Sequence, residues 1–149
     1  MLTQTVEYAL RAVVCLASHA PQPQTNVQLA EITQVPPAYL AKIMLGLNRA
    51  GLIRSQRGPN GGFTITREPH EIPLLDVVNS VEPMQRFTKC PLDIKTHDGR
   101  LCPLHRRLDE ILGAAEEAFQ STTLADLLAE CGDSVPLCRD ELQSLVKLD

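Results

Sequence analysis

The sequence predicts a mainly α-helical fold with one small β-hairpin, arranged as a winged helix-turn-helix that a long dimerisation helix follows. Three observations lead to this prediction. Apolar residues recur at helical spacing in three segments before residue 51, the pattern then changes to that of a strand pair, and a separate long amphipathic segment begins at Pro103. Three helices followed by a hairpin is the order of elements in a winged helix-turn-helix.

The first two helices are predicted from apolar spacing and from the residues at their ends. The first covers about residues 3–17 and ends before the Pro21–Pro23 run. Asn26 is predicted to be the N-cap of the second helix, because an Asn side chain accepts a hydrogen bond from an otherwise unpaired amide. This short helix is expected to direct three side chains inward, those of Val27, Ala30 and Ile32.

The third helix and the hairpin follow from proline and glycine positions. Pro37 can open a helix, where its missing amide costs nothing, and Gly51 can end it. Between them lies a predicted buried stripe of Leu40, Ile43, Met44 and Leu47. Strand character begins at Leu52 and Ile53, turn residues occupy 59–62, and apolar and polar residues alternate through Thr66.

The rest of the chain predicts a short helix from Leu74 to Val81, a loop at 86–101 and a long helix from Pro103. The apolar side of the long helix has no internal partner of matching length except the first helix, so we expect a second chain to cover it. That side consists of Leu104, Leu108, Ile111, Leu112, Ala115 and Phe119, with Asp109, Glu110, Glu116 and Glu117 mostly opposite. Thr122 or Thr123 is expected to cap a last helix. The predicted units are a DNA-binding domain at 1–82, a cysteine-containing sensor loop at 83–102, and a dimerisation helix with a tail at 103–149.

Charge and composition limit the classes of function. Residues 1–67 carry a net charge of +4 and residues 68–149 a net charge of −8, which fits a DNA-binding module joined to a separate assembly or sensing segment. No apolar run is long enough to cross a membrane and no signal peptide is recognisable, so a cytoplasmic protein without a membrane partner is expected. Phosphate-binding, zinc-protease and nucleophile-elbow motifs are absent from the sequence, which argues against an enzyme.

The predicted DNA surface is the start of the third helix together with the tip of the hairpin. Tyr39 and Lys42 are expected to reach bases or phosphates, and Arg54 and Arg57 provide positive charge at the wing. The full set of candidate DNA contacts is Asn26, Gln28, Pro37, Ala38, Tyr39, Lys42, Arg54, Arg57, Pro59 and Asn60. Two alternatives stay open: the hairpin is only a tight turn with a solvated Arg57, or the winged helix is a protein-interaction module.

The second candidate site contains Cys90, Cys102 and His105. Cys102 precedes Pro103 at the start of the long helix, where free amides and the helix dipole favour a thiolate, the form that binds metal. His105 follows on the same face, and Cys90 must arrive from the loop. The alternative is that both cysteines are ordinary thiols and His105 a surface residue. Cys15 is expected in the core, whereas Cys131 and Cys138 are free thiols, a redox pair or a spare site.

The helix-to-wing segment resembles the Rrf2 family of bacterial transcriptional regulators. The resemblance rests on residues 39–44, Leu47 and residues 50–63, and it extends to Glu7–Arg11, Leu74–Val78 and Thr123–Leu128, covering roughly residues 1–130. It implies a dimer that binds an operator in double-stranded DNA. The long helices pair with each other, and each winged domain binds one half-site.

The same resemblance implies an iron–sulfur cluster, [2Fe–2S] or [4Fe–4S], which senses redox state, nitric oxide or iron–sulfur status. Many family members hold it with three cysteines before the dimer helix, of which Cys90 and Cys102 match the first and last, and His105 matches a further ligand. Thr96-His97-Asp98 stands near the place of the middle cysteine, so His97 is an additional candidate. Glu7 matches a position from which some members supply a carboxylate across the dimer. The alternative is a cluster-free regulator that responds through its thiols or another ligand.

Overall fold

The computed structural model describes residues 2–92 and 99–130 of the chain. Its elements are α1 (Gln4–His19), α2 (Asn26–Thr33), α3 (Pro37–Arg49), β1 (Ile53–Gln56), β2 (Gly62–Ile65), a 3-10 turn (Pro69–Glu71), α4 (Leu74–Val81), α5 (Pro103–Ser121) and α6 (Leu124–Ala129). β1 and β2 pair with each other as an antiparallel hairpin. The predicted mainly helical fold with a small hairpin is confirmed.

The core forms where α1 crosses the helix-turn-helix. Every α1 residue from Ala12 to Ala17 is buried, and this face packs against α2, α3, α4 and β2. The predicted stripe of α3 is confirmed, since all four of its side chains are buried: Leu40, Ile43, Met44 and Leu47. Burial of so much apolar surface fixes the angle at which α3 is presented to solvent.

The start of α2 corrects one prediction. Its N-cap is Thr25 and not Asn26: the Thr25 hydroxyl accepts from the Gln28 amide at 3.2 Å, and the Gln28 side chain accepts from the Thr25 amide at 2.9 Å. This reciprocal pair is a capping box, which satisfies two amides where a lone cap satisfies one. Val27, predicted to face inward, is 74% exposed, whereas Leu29 is fully buried and Ala30 and Ile32 pack partly buried against the core.

A Schellman motif ends α3 and starts the wing. Gly51 has φ of +72°, its amide donates to the Asn48 carbonyl at 3.0 Å, and the Leu52 amide donates to the Leu47 carbonyl at 3.1 Å. Leu47 and Leu52 are both buried. The turn therefore fixes the direction in which β1 leaves the helix.

A short backbone bridge attaches the wing to the body. Gln24 and Phe63 exchange two backbone hydrogen bonds, of 3.0 and 2.8 Å. Gly62 permits this approach, because a Cβ at that position would lie 2.7 Å from the Gln24 carbonyl carbon and oxygen. The hairpin is thus anchored at its base while residues 57–60 extend into solvent.

The last helix returns to the first part of the chain. The amide of Leu74 donates to the Thr122 carbonyl, the amide of Leu124 donates to the Ile72 carbonyl, and Leu124 is fully buried in the common core. Thr123 caps α6, as predicted. Both ends of the segment 75–121 are consequently fixed on one body. Among the described residues, no helix is long and apolar enough to cross a membrane.

Candidate cysteine–histidine centre and DNA-facing surface

The structure brings Cys90, Cys102 and His105 together. The Cys102 sulfur lies 3.1 Å and the Cys90 sulfur 3.7 Å from Nδ1 of His105. All three candidate ligand atoms lie within 4.8 Å of one another. Cys102 is the N-cap residue of α5 and His105 lies in its first turn, whereas Cys90 belongs to the segment that follows α4 and is buried.

The environment of Cys102 favours its ionised form. Its pKa is lowered to about 7, first because the backbone amide of His105 acts on the sulfur and then because the His105 side chain does so. Cys15 shows the opposite effect, since burial in the core raises its pKa to about 11. Of these two thiols, only Cys102 is prepared to act as a ligand or nucleophile near neutral pH.

Phe87 and Arg86 support the centre, and sequence reasoning missed both. The Phe87 ring packs against the His105 imidazole with centroids 5.2 Å apart, and the Phe87 amide donates to Oδ1 of Asp109 at 2.9 Å. Arg86 bonds Asp109 and Glu116. The sequence pattern placed both acids on the solvated side of the long helix. Their spacing from His105 along α5 was the available signal, but nothing in the sequence indicated a loop arginine as their partner.

The other predicted ligands are not part of this group. Glu7 lies on α1, where Oε1 accepts from Nε of Arg11 at 2.6 Å. It was predicted to reach the centre of a partner chain, and that prediction remains untested. His97, Cys131 and Cys138 lie outside the described residues.

The donor set fits an iron–sulfur cluster. Two cysteine sulfurs and one imidazole nitrogen are ligand types that proteins use for such clusters, and mixed cysteine–histidine ligation is a known pattern. Convergence of the three atoms without a disulfide leaves both sulfurs free to coordinate. Cys90, Cys102 and His105 would hold the group, and any further ligand would have to come from elsewhere.

The first turn of α3 and the wing tip are open to solvent. Pro37, Ala38 and Lys42 are exposed on α3. The wing likewise exposes its predicted contacts, namely Arg54, Arg57, Pro59 and Asn60. Arg54 is partly engaged, since its Nε donates to the Thr64 hydroxyl at 3.2 Å. The exposed residues include three cations and no acid, which suits an approach to phosphates.

Three of the predicted DNA contacts also have internal roles. Tyr39 is half-buried, with its hydroxyl 2.7 Å from that of Thr5 and its ring edge-on to Tyr8. Gln28 completes the α2 cap. The Oδ1 atom of Asn26 is buried, and among the described residues it has no hydrogen-bond partner. A role for these three in DNA binding stays a prediction.

Comparison with known proteins identifies the family and its fold. A family model described as "Rrf2: Iron-dependent Transcriptional regulator" matches residues 2–130. The chain belongs to the Rrf2 family. The predicted resemblance is therefore confirmed, and the protein is a DNA-binding transcriptional regulator, not an enzyme.

Relatives and solved structures agree with this assignment. The chain is 31% identical to the HTH-type transcriptional regulator NsrR of Geobacillus kaustophilus, over 98% of this chain and 96% of NsrR. CymR, the global cysteine regulator of B. subtilis, has a TM-score of 0.70 at 28% identity, covering 85% of this chain and 95% of CymR. IscR of T. potens also has a TM-score of 0.70, at 26% identity, with 90% and 93% covered.

The structure carries the two candidate sites within one fold. The helix-turn-helix and wing lie in the first 65 residues of this Rrf2 regulator, and the cysteine–histidine centre lies between α4 and α5. Both sites connect through α4, which packs on α1 and α3. At Gly46 of α3, a Cβ would lie only 3.0 Å from the Ser80 carbonyl oxygen of α4, so the two helices are in close contact.

Proposed function

We propose that this Rrf2 regulator binds operator DNA as a dimer and senses redox state, nitric oxide or iron–sulfur status through an iron–sulfur cluster held by Cys90, Cys102 and His105. The observation that carries the proposal is the convergence of these three side chains at the start of α5. The description of the family as iron-dependent supports it.

For DNA binding, we assign base, groove and phosphate contacts to the N-terminal half of α3 and to the wing. Lys42 and Arg57 are exposed and free of ion pairs in the described part of the chain. In a winged helix the helix start enters the major groove, and an arginine at a slim glycine-rich tip can enter the minor groove. The phosphates of the operator would attract the net positive charge of residues 1–67.

For assembly, the partner we propose is a second copy of the chain, held through α5. Leu104 and Ile111 are 63% and 59% exposed, and Leu108 lies on the same side of the helix. Next to this side runs an apolar groove of 830 Å³ between α5, α4 and the start of α1, lined by residues that include Phe87, Leu112 and Phe119. An apolar surface of this extent on a small protein indicates an interface, and a symmetric dimer covers it twice.

For sensing, the chemistry depends on mixed ligation. A cluster bound by two thiolates and a neutral imidazole carries less negative charge than one bound by thiolates alone, which raises its reduction potential. The chain contributes a thiolate from Cys102 near neutral pH, a second sulfur from the buried Cys90, and an imidazole held against Phe87.

The signal would pass to DNA through α4. The segment that carries Cys90 begins at the end of α4, and α4 contacts the recognition helix α3. A change in the position of Cys90 relative to α5 would move this segment and change the spacing of the two recognition helices in the dimer. Half-sites lie about one helical turn of DNA apart, so a small change in spacing alters the fit.

The test is purification without oxygen, followed by assays of iron, sulfide and visible absorbance. Wild type is expected to be coloured, whereas Cys102→Ala and His105→Ala lose most of the iron. Cys131→Ala and His70→Ala are the matched controls for the loss of one thiol and one imidazole, and they should retain the metal. If wild type stays colourless after reconstitution, or if Cys102→Ala keeps its iron, the cluster proposal is wrong.

A cluster-free thiol sensor is the second candidate, because the Cys90 and Cys102 sulfurs lie within 4.8 Å and one of them is acidic. In this case an oxidant such as peroxide takes two electrons from the two thiols, which lose two protons and form a disulfide while peroxide becomes water. Colourless wild type that forms a Cys90–Cys102 disulfide, with a change in operator affinity that Cys102→Ala abolishes, would favour this candidate.

A further inference from the structure

Arg86 connects the segment that carries Cys90 to the helix that carries Cys102 and His105. Its Nε and Nη2 donate to the two carboxylate oxygens of Asp109 at 2.7 and 2.8 Å, and its Nη1 donates to Glu116 at 2.9 Å. A two-pronged contact of this kind fixes orientation as well as distance. These hydrogen bonds raise the pKa of Arg86 and lower that of Asp109, so both groups stay charged.

Gly113 provides the space in which the guanidinium group lies against α5. A Cβ at this position would lie 2.8 Å from Nη2, 2.9 Å from Nη1 and 3.0 Å from Cζ of Arg86. His105, Asp109, Gly113 and Glu116 follow one another at spacings of four, four and three along α5, which places them on one face of the helix. The candidate ligand His105, the two carboxylates that bind Arg86 and the glycine beneath its guanidinium group thus form a continuous stripe on α5.

Arg86 affects the cysteine–histidine centre through its neighbour in the chain, Phe87. Asp109 also accepts the Phe87 amide, and the Phe87 ring packs against His105. Cys90 follows three residues after Phe87, on the same segment. The position of this segment along α5 therefore determines both the orientation of the imidazole and the distance from Cys90 to Cys102.

We infer that Arg86, seated on Gly113 and bound to Asp109 and Glu116, is a positioning residue that holds Cys90 and His105 in ligand geometry. This inference rests on the proposed function of the centre as a metal site. Arg86 touches no ligand atom itself. It acts through the backbone of the segment and through Phe87. Partners of this indirect kind typically change metal affinity about 10- to 100-fold when they are removed.

The test uses Co²⁺ as the probe on oxygen-free apo-protein, because its visible absorption reports a tetrahedral site containing sulfur and because the assay needs no cluster. Arg86→Leu removes a positive charge near a cation site, which by Coulomb's law should strengthen Co²⁺ binding. A positioning role predicts the opposite, about 10-fold or greater weakening. Arg107→Leu is the matched control, since Arg107 is an exposed α5 arginine paired with Glu110, and it should show only the electrostatic effect.

Gly113→Ala separates positioning from stability without a change of charge. Alanine favours a helix over glycine, so the midpoint of thermal unfolding should stay the same or rise. Its Cβ displaces the guanidinium group, so Co²⁺ affinity should fall as in Arg86→Leu. Ala114→Gly, the neighbouring control, should lower the unfolding midpoint and leave Co²⁺ affinity unchanged. Light scattering checks that all four variants have the same oligomeric state.

The outcomes distinguish this inference from the proposed function. If Arg86→Leu and Gly113→Ala bind Co²⁺ as tightly as wild type, or more tightly, Arg86 is not a positioning residue, even where wild type builds a cluster. If both variants weaken Co²⁺ binding while wild type builds no cluster, the positioning role of Arg86 is supported and the cluster proposal is wrong. Wild type that binds neither Co²⁺ nor a cluster overturns both.

Discussion

Single residues set the chemistry of both sites through their immediate neighbours. Cys102 and Cys15 are the same residue type, yet the His105 amide and side chain lower the pKa of one while burial raises the pKa of the other. Arg57 and Arg86 also differ in their neighbours: Arg57 is exposed at the wing tip and has no ion pair among the described residues, whereas Arg86 is bound to two carboxylates. Each contrast predicts a measurable difference.

The reactivity of Cys102 should depend on pH near neutrality. In apo-protein the thiolate is the nucleophile, so the rate of alkylation by iodoacetamide should rise with pH, reach half its maximum at about pH 7 and level off at higher pH. His105→Ala removes part of the stabilisation of the thiolate and should move this rise to higher pH. Mass spectrometry identifies the site, and Cys15 should stay unmodified. A rate for Cys102 that rises only well above pH 8 contradicts the prediction.

Arg57 and Lys42 should affect operator binding in different ways. Arg57→Ala is expected to cost about 1–3 kcal/mol and to relax sequence preference, because the wing arginine is proposed to read a groove. Lys42→Ala, as the loss of a phosphate contact, should weaken binding to all sequences alike and reduce the salt slope by about 0.9. Fluorescence anisotropy at several salt concentrations measures both. Arg107→Ala on α5 is the control, and unchanged affinity in both variants would show that the binding face lies elsewhere.

Secondary-structure elements depend on their ends as much as on their apolar faces. The capping box of α2 and the Schellman motif of α3 together satisfy amides and carbonyls on both sides of the helix-turn-helix. The Thr25 side chain is thus engaged at the start of α2, whereas Oδ1 of Asn26 has no partner among the described residues.

Thr25 and Asn26 should therefore differ in their effect on stability. Thr25→Ala removes the cap and should lower the free energy of unfolding by about 1 kcal/mol. Asn26→Ala removes a buried carbonyl oxygen that has no partner among the described residues, so its effect should be near zero or stabilising. Urea denaturation of the two variants measures the difference. A larger loss for Asn26→Ala would restore Asn26 as the cap.

The whole molecule is organised by α5, which carries the cysteine–histidine centre at its start and reaches the common core at its end. Ile111, Leu112 and Phe119 line the groove towards α4, and Ile111 is exposed together with Leu104 and Leu108. A second copy of the chain is the proposed cover. Dimerisation would then hold the two recognition helices at a fixed separation, as palindromic half-sites require.

A charge on the uncovered side of α5 should break this dimer. Ile111→Glu places a carboxylate in the proposed interface, and light scattering should then give about the mass of one chain where wild type gives about twice that mass. Operator affinity should fall with it. Glu117→Gln, a change on an exposed residue of the same helix, is the control. A dimeric Ile111→Glu protein with full operator affinity would exclude this face as the interface.

Local physical chemistry made much of the fold predictable from the sequence. Apolar spacing identified α1, α3 and α5, Pro37 and Gly51 marked the bounds of α3, and the turn residues after Gln56 marked the hairpin. Each of these signals acts within a few residues, where backbone geometry and burial are decided by the sequence itself. The candidate ligands Cys90, Cys102 and His105 were also identified, two of them because they lie at a helix start.

Tertiary structure alone decided how distant segments meet. The N-cap of α2 is Thr25 and not Asn26, and the core residue is Leu29 and not Val27, an outcome that depends on what α2 packs against. The sequence predicted Asp109 and Glu116 on a solvated side, but the fold places Arg86 between them, 23 and 30 residues away along the chain. Such contacts depend on the path of the chain between α4 and α5. Residue spacing along the sequence contains no information about that path, so these contacts are determined only in the folded molecule.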